Sequence, residues 1–398
     1  MQTSTRAKGA MGVLTLLLAI GVGAWIYQLV NGLGVTGMSN ANSWGLYIAC
    51  FMFFVGLSAG GLIVASSASV FKIAQYKKVA VPAVILSTVC ICCAGLFILI
   101  DLGGIARVWR ILTGPNFLSP LVWDLCVISC YLVINLLDLY WMSRGDERKV
   151  EMLSRVALPV AILVHSVTAW IFGLQIARAW YSAIMAPIFV ASAMDSGLAL
   201  LIIALVALNA AKVFETSPKL IKSLAGLLAV FVAVDAFFVG CEVLTMAYPG
   251  AGESLALAEM LGGATAPFFW IEIVLGLVVP FCVLSLDKLR ANTGAVVAAS
   301  YLIVLGVLCK RVWLLLTSFV NHNVSGAPGI SLGTNAAVHT PSPDMWTLIG
   351  SYAPTPIEVI IVLGVLSGGV LAFVVLSKKF LKGEKKTLET TSHVVGTA

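Results

Sequence analysis

Ten long apolar runs, separated by short polar connections, make up most of this chain. They lie at about 10–32, 44–71, 79–103, 118–142, 156–178, 187–211, 221–247, 265–286, 294–318 and 356–377. A helix needs about 20 consecutive apolar residues to cross the hydrocarbon core of a bilayer. The pattern therefore predicts an all-α polytopic membrane protein with ten transmembrane helices, in one integral membrane domain over residues 1–398.

The remaining segments leave little room for a soluble domain. The first run is too long for a signal-peptide core and is followed by no convincing cleavage site, so we expect it to be retained. The longest connection, 319–355, is rich in Gly, Pro, Ser and Asn and is predicted to be an ordered surface loop.

The charges give the predicted orientation. Only 11% of the residues are charged, against roughly 25% in soluble domains. Nineteen of the 24 Lys and Arg residues fall on the side that holds both termini, and the opposite connections hold only Arg107, Arg110 and Arg178. Positive charge marks the cytoplasmic side. We therefore expect cytoplasmic termini in a bacterial or archaeal cytoplasmic membrane, and no nucleic-acid partner.

Two short stretches predict an internal repeat. "SPLVWD" begins at Ser119, and "APFFWIE" begins at Ala266; both contain Pro-x-x-Trp followed by a carboxylate, 147 residues apart. The runs around them start on the same side of the membrane, which predicts a parallel repeat. We expect two four-helix bundles, 44–178 from spans two to five and 187–318 from spans six to nine, flanked by spans one and ten.

Ionisable residues inside the predicted spans are candidates for function, because burying each one in a bilayer costs at least ~2.5 kcal/mol. Those considered are Asp101, Asp124, Asp195, Asp235, Glu242, Glu272, Lys310, Arg311, Glu358 and His165. His165 and Asp235 fall near mid-depth, and the rest fall in the outer half. This asymmetry favours a polar cavity near the outer face, although each residue could instead form a purely structural pair.

One histidine stands within an apolar run, in "ILVHSVTAWIFG" at Ile162–Gly173, whereas His322, His339 and His393 lie in loops or the tail. A bis-histidine haem is therefore excluded, and haem with a single ligand remains an alternative. Imidazole titrates near neutral pH and can donate or accept a hydrogen bond, as a quinone carbonyl requires. A structural bond from His165 to its neighbours also stays open. The cysteines, Cys90, Cys92 and Cys93 included, are predicted to be packing residues, and no metal site is expected.

Several stretches together resemble the polysulfide-reductase-type, NrfD-like membrane subunits. They are "WGLYIACFMFFVGLSAGG" (44–61), "IDLGGIARVWRIL" (100–112), "SPLVW" (119–123), "VHSVTAWIFG" (164–173), "FWIEIVLGLVVPF" (269–281) and "YAPTPIEVIIVLG" (352–364). Many family members have "SPMSWG" where this chain has "SPLVWD", so Asp124 departs from the pattern.

The resemblance implies a haem-free subunit, without an iron–sulfur cluster of its own, that exchanges electrons with a quinone, expected to be menaquinone. It also implies an iron–sulfur, ferredoxin-like partner on the outer face and a molybdopterin or multihaem cytochrome subunit beyond it. We expect His165, Asp235 and Glu242 to transfer protons. The expected quinone contacts are His165, Asp101, Asp124, Arg311 and Glu272.

Two other classes fit parts of the pattern. A secondary transporter would also have ten spans, a repeat and buried charges, but the repeat is parallel and no paired Gly/Pro-broken helices mark a mid-membrane site. A purely structural anchor is disfavoured by the number of buried charges.

Overall fold

A computed structural model of the chain describes residues 5–39, 42–175, 181–248, 253–320 and 352–395, and these contain helices and connections without a β-strand. Ten helices among them are long and apolar enough to cross a membrane. This confirms the predicted fold class and number of spans.

The first five of these helices are α1 (Thr5–Asn31), α2 (Leu46–Val70), α3 (Ala80–Asp101), α4 (Pro120–Arg144) and α5 (Glu147–Gly173). The other five are α6 (Met185–Ala210), α7 (Pro218–Ala247), α8 (Ala266–Ser285), α9 (Thr293–Val320) and α10 (Pro356–Val395). Short helices at Ala74–Lys77, Arg110–Thr113, Glu253–Gly262 and Asp287–Arg290 lie in the connections.

The helix bounds differ from the apolar runs where a helix continues into water. α5 begins at Glu147, well before the apolar run, because the Asp146 side chain caps it by accepting a hydrogen bond from the Lys149 backbone N–H at 3.1 Å. An Arg155–Glu151 pair at 2.9 Å then supports the polar first turns. Of the predicted 319–355 loop, residues 321–351 lie outside the described part of the chain.

The helices of the two predicted units pack in matching patterns. α2 packs on α3 and α5, and α6 packs on α7 and α9 in the same way; α4 packs on α5 as α8 packs on α9. α2 and α6 form the main contact between the units. These pairings support the parallel repeat and its two bundles, which stay a prediction.

Close approach of backbones at the α2–α6 contact explains two of the small residues. A Cβ on Gly60 would collide with the Ala193 carbonyl, and one on Gly197 would collide with the backbone of Gly60. Glycine at both positions lets the two central helices approach closely, as is common in membrane helix pairs.

The repeated Pro-x-x-Trp stretches have similar local structure. Pro120 and Pro267 stand in the first turn of α4 and α8, where a missing backbone N–H costs least. The Trp123 indole donates to the Phe117 carbonyl at 2.6 Å, and the Trp270 indole donates to the Leu261 carbonyl at 3.1 Å. Both indoles thus fasten the start of a helix to the preceding connection.

α1 and α10 pack on each other, and α10 also packs on α3, so both flank the first unit. The three clustered cysteines of α3 do not point to one site, since Cys90 and Cys93 are buried whereas Cys92 is exposed.

Candidate functional site

The buried histidine predicted to be functional lies in the interior, at the meeting of α5 with α2, α6 and α9. His165 is 1% exposed, and neither ring nitrogen has a hydrogen-bond partner within the described residues. A backbone group of Gly56 lies beside the ring but does not meet hydrogen-bond geometry, and Arg311 is its charged neighbour. The expected bond from His165 to a local carbonyl or carboxylate is therefore not formed.

Arg311, an expected quinone contact, is the charged neighbour of His165. Its Nη2 donates to Ser192 Oγ at 2.6 Å, and its guanidinium carbon stands 3.9 Å from the centre of the Phe189 ring. Nε and Nη1 are buried without a hydrogen-bond partner in the described part of the chain. Buried donors of this kind are costly unless something accepts from them.

Space remains beside these groups. A Cβ added to Gly56 would meet only Arg311 Nη2 at 3.8 Å and Ser196 Oγ at 3.9 Å within van der Waals range. A small added group can therefore occupy this position beside the Arg311 guanidinium without a clash.

A charged cluster, defined as Asp195, Asp235, Glu272, Lys310 and Arg311, adjoins this site. Lys310 Nζ lies 2.9 and 3.0 Å from the two Asp235 carboxylate oxygens and 3.1 Å from Glu272 Oε1. The contact with Glu272 Oε1 is electrostatic, since its angle is poor for a hydrogen bond. All five side chains are less than 2% exposed.

Asp195 has the least satisfied carboxylate of the charged cluster. Neither oxygen has a hydrogen-bond partner among the described residues, although the Ser196 backbone lies beside it. Three carboxyl groups face two cations in the cluster, so one carboxyl lacks a cation of its own. Lys310 and Asp195 were recognised as buried charges in the sequence, but their place in the site was missed because sequence order does not reveal which spans face each other.

Glu272 belongs to an unusual turn of α8. Residues Ile271–Val278 form a π-helical segment, and such segments are rare and frequently mark functional sites. The Trp313 indole of α9 donates to Glu272 Oε2 at 2.5 Å. Gly276 lies against Gly306 so closely that a side chain on either would collide with the other backbone. This contact brings α8 and α9 together beside Lys310.

A small pocket of about 30 Å³ in the second unit borders Lys310 of the charged cluster. Glu242, Met246, Met260 and Thr317 line its sides, and Lys310 is also part of its wall. Glu242 accepts a hydrogen bond from Ser182 Oγ at 2.9 Å. Lys310 therefore lies between the two carboxylates: it donates to Asp235 and lines the same pocket as Glu242.

Asp124 and Asp101, both predicted beside His165, lie in different places. Asp124 accepts a bond from Thr168 Oγ1 at 2.6 Å, and Thr168 is one helical turn from His165 on α5. Asp101 lies near Glu358 and Tyr47 instead, at the contact of α3 with α10 and α2. The structure therefore brings Asp124 to the neighbourhood of His165 but not Asp101.

Glu358 is the centre of a network that joins α10 to the connection between α1 and α2. Its carboxylate accepts from the Gly37 backbone N–H at 2.8 Å, the Thr355 backbone N–H at 2.8 Å and Tyr352 OH at 2.7 Å. Tyr352 OH accepts in turn from the Leu46 backbone N–H at 2.8 Å. Burial raises the pKa of Tyr352, so the phenol keeps its proton and donates. Glu358 therefore has a structural role.

The first unit has a polar centre of its own, the neutral network, defined as Ser58, Ser87, Tyr131 and Asn135. Ser87 Oγ donates to Asn135 Oδ1 at 2.8 Å and lies 2.8 Å from Tyr131 OH. Ser58 Oγ donates to the Ser87 carbonyl at 2.8 Å. Nothing in the sequence marks these residues as a network, because neutral polar side chains in a membrane helix are common packing elements.

The comparisons with known proteins agree with the resemblance in the sequence. Residues 34–322 match the family described as polysulphide reductase, NrfD. The chain is 37% identical over 391 residues to a putative dimethyl sulfoxide reductase membrane subunit of Halobacterium salinarum, covering 92% of this chain and 89% of that protein.

Two further relatives are more distant. The chain is 29% identical over 380 residues to the Hdr-like menaquinol oxidoreductase integral membrane subunit of Archaeoglobus fulgidus, covering 95% of this chain and 94% of that protein. It is 25% identical over 356 residues to a selenate reductase subunit of Mesobacillus selenatarsenatis, covering 79% of this chain and 83% of that protein. This protein, with its ten apolar helices, is a multi-pass membrane protein that belongs to the NrfD polysulphide reductase family.

Proposed function

We propose that this chain is the quinone-reactive membrane subunit of a respiratory oxidoreductase complex. The family and the relatives support an oxidoreductase subunit, since all three relatives are named as subunits of reductases or of a menaquinol oxidoreductase. The observation that carries the quinone assignment is the neighbouring pair His165 and Arg311. Both have buried nitrogens without a hydrogen-bond partner in the described residues, and a position at Gly56 beside the guanidinium has room for a small group.

The residues around this space fit a quinone head group. Arg311 Nε and Nη1 are donors for a carbonyl oxygen, and the His165 ring can donate to a carbonyl or accept from a hydroquinone hydroxyl. The Arg311 guanidinium is held in place by its stacking over the Phe189 ring. The quinone supplies two-electron redox chemistry coupled to protons, and we expect it to be menaquinone, as the name of the relative from Archaeoglobus fulgidus suggests.

The chain's own residues handle the protons. His165 holds or releases a proton at the site, and the charged cluster beside it connects to the Glu242 pocket through Lys310. The third carboxyl of the cluster, Asp195, is where a proton is held at the lowest cost, because burying an unpaired charge is expensive. Asp235 and Glu242 thus act as relay groups, with Lys310 between them.

In this proposal, electrons pass directly between the quinone and a partner subunit, and this chain holds no haem or iron–sulfur cluster. The partner is an iron–sulfur, ferredoxin-like subunit on the outer face, with a molybdopterin or multihaem cytochrome subunit beyond it. The connection between α3 and α4 is a suitable docking surface. It carries Arg107 and Arg110 with the exposed side chains of Trp109, Phe117 and Leu118.

Docking is tested by reversing the charges of Arg107 and Arg110 together. Loss of charged interface partners costs ~2–5 kcal/mol, so the partner subunit should no longer co-purify. A doubly reversed variant that retains its partner would contradict this role. Arg178, the third basic residue expected at this face, lies outside the described residues.

The proposed orientation has cytoplasmic termini, with the 248–264 connection outside. That connection has no Lys or Arg, as expected of a translocated segment. A reporter fused there should be active only on the outer side of the cytoplasmic membrane, and cytoplasmic activity would reverse the topology.

The quinone assignment is tested with His165→Gln and His165→Ala in the assembled complex. We expect both variants to assemble and to lose quinone-linked electron transfer, while an artificial dye still exchanges electrons with the partner subunit. Glutamine can hydrogen-bond but cannot carry the proton, so it should rescue binding more than turnover.

Gly56→Leu provides a second test that leaves His165 and Arg311 unchanged. A larger side chain should fill the space beside them and raise the quinone KM without loss of the folded complex. Normal quinone turnover in both His165→Ala and Gly56→Leu would contradict the quinone assignment and show that His165 is a packing residue. Substrate uptake by vesicles that contain the chain alone would favour a secondary transporter instead.

A further inference from the structure

A groove runs along the lipid-facing side of the second unit, between α7 and α8. Gly226, Ala229, Ala233 and Phe237 of α7 form its floor and one wall, and Phe281 of α8 forms the other. Its cavity volume is about 500 Å³. Asp235 is buried on the opposite face of α7, so the groove is separate from the charged cluster.

The corresponding surface of the first unit is covered. There α10 packs along α3, where Gly369 of α10 lies against Cys93 and Val89. α7 is the counterpart of α3 in the repeat, and within the described residues no further membrane-spanning helix takes the place of α10 on it. The groove is therefore the surface that the repeat leaves open to lipid in the second unit.

A cationic group closes the end of the groove on the Lys- and Arg-rich side. Arg290 Nη1 lies 3.4 Å from the position of a Cβ on Gly226, and Arg290 Nε is buried without a hydrogen-bond partner in the described residues. Asp287 accepts from Arg290 at 3.1 Å and from Lys222 at 2.9 Å. The hydrogen bond from Lys222, then that from Arg290, lowers the pKa of Asp287.

The positive charge at this end of the groove and its position at the membrane surface indicate which class of ligand the groove binds. Asp287 is ionised but faces three cations, Lys222, Lys288 and Arg290, so the end of the groove is positive overall. Clusters of this kind at the membrane surface attract anionic lipid head groups, at about 1 kcal/mol per basic residue.

The length of the groove fits one hydrocarbon chain. From Gly226 to Phe237 it extends about 16 Å, at 1.5 Å per residue. The hydrocarbon core of a bilayer is about 30 Å thick, so the groove matches the depth of one leaflet.

We propose that this groove binds one anionic phospholipid from the Lys- and Arg-rich leaflet. One hydrocarbon chain lies along Ala229, Ala233 and Phe237, and the phosphate accepts from Arg290. The site is independent of the quinone proposal, since it lies on the other face of α7.

The experiment uses the full chain, purified from vesicles of equal parts phosphatidylglycerol and phosphatidylcholine, with retained lipid identified by native mass spectrometry. Arg290→Gln removes the head-group contact, and Ala233→Phe fills the groove. The matched controls are Arg155→Gln, which loses an exposed ion pair with Glu151, and Val133→Phe, which adds a ring to another lipid-facing surface.

We expect the unaltered chain to retain phosphatidylglycerol in preference to phosphatidylcholine. Arg290→Gln should reduce that preference about fivefold, the effect of one basic residue, and Ala233→Phe should remove the retained lipid of either kind. Both controls should behave as the unaltered chain does. Equal retention in Arg290→Gln and Arg155→Gln, or in Ala233→Phe and Val133→Phe, would overturn the proposal, as would a retained molecule without an anionic head group.

Discussion

The helices of the two predicted units pair in matching patterns around different polar centres. In the first unit the neutral network consists of two serines, a tyrosine and an asparagine that bond to one another. In the second unit the charged cluster consists of three carboxylates, a lysine and an arginine, and several of its polar atoms have no partner in the described residues. The neutral network is thus a closed centre, whose polar groups bond to one another. The charged cluster is an open centre, in which some polar atoms lack a partner within the described residues.

Corresponding positions contribute to both centres. Ser58 and Asp195 each stand two residues before one of the glycines, Gly60 and Gly197, at which α2 and α6 meet. The same backbone therefore supports a neutral side chain in one unit and an ionisable one in the other.

The difference indicates a division of roles. A satisfied neutral network holds helices together and costs little to bury. A charged cluster with more carboxylates than cations is expensive in a membrane, so its presence is better explained by function than by packing. His165 lies beside the charged cluster because α5 of the first unit contacts α6 of the second.

The largest effect should follow from Lys310→Met. This change leaves Asp235 and Glu272 buried without their shared cation, which costs about 3–5 kcal/mol. Unfolding of the purified chain, followed by the temperature dependence of its near-UV signal, should show a much lower midpoint. The double variant Lys310→Met with Asp235→Asn should recover part of the loss, because it removes both partners.

Ser87→Ala in the neutral network is the control for Lys310→Met. It removes a hydroxyl between uncharged groups and should cost only about 1 kcal/mol. If Lys310→Met were no more harmful than Ser87→Ala, the charged cluster would not be an interacting unit.

The fold could be predicted from the sequence because bilayer thickness sets the length of each span. All ten runs became helices, and the boundary errors occur where polar residues continue a helix into water, as at Glu147 of α5. Family membership could also be predicted from the sequence. Five of the six stretches that carry the resemblance lie within residues 34–322, which match the family.

The site was only partly predictable. Burial of His165, Asp235, Glu272 and Arg311 followed from their spans, because an apolar run fixes depth. Which spans face each other is decided by tertiary packing, so Asp101 was assigned to His165 although it lies near Glu358. The hydrogen bond that Glu358 accepts from the Gly37 backbone N–H joins segments that are distant in sequence, so no sequence signal could have revealed it.

A second prediction separates proton transfer from packing in the charged cluster. Asp235→Asn keeps an oxygen that can accept from Lys310 but cannot carry a proton. Quinone turnover should fall by about 10²-fold, the usual contribution of one proton-transfer group, while the partner subunit still co-purifies. Asp138→Asn, which alters a buried carboxylate of the first unit, should leave turnover unchanged. Unaltered turnover in Asp235→Asn would remove Asp235 from the relay.

A smaller effect is expected from Tyr131→Phe in the neutral network. The change removes the hydroxyl that lies 2.8 Å from Ser87 Oγ and 3.2 Å from Ser58 Oγ. Stability should fall by about 1 kcal/mol, with no change in quinone turnover or its pH profile. A loss of turnover as large as that of Asp235→Asn would show that the closed centre also takes part in the reaction, and the proposed division between the units would fail.

The smallest effect concerns the repeat itself. Trp123→Phe and Trp270→Phe each remove one indole hydrogen bond to a preceding backbone carbonyl. Each should cost about 0.5–1 kcal/mol. The two changes should be equal within about 0.5 kcal/mol and additive in the double variant, because they lie in separate units and share no partner. Thermal unfolding of the three variants measures this directly. Strongly unequal costs would mean that the two stretches, although alike in sequence, do not have the same role in starting α4 and α8, and the parallel repeat would lose its clearest local support.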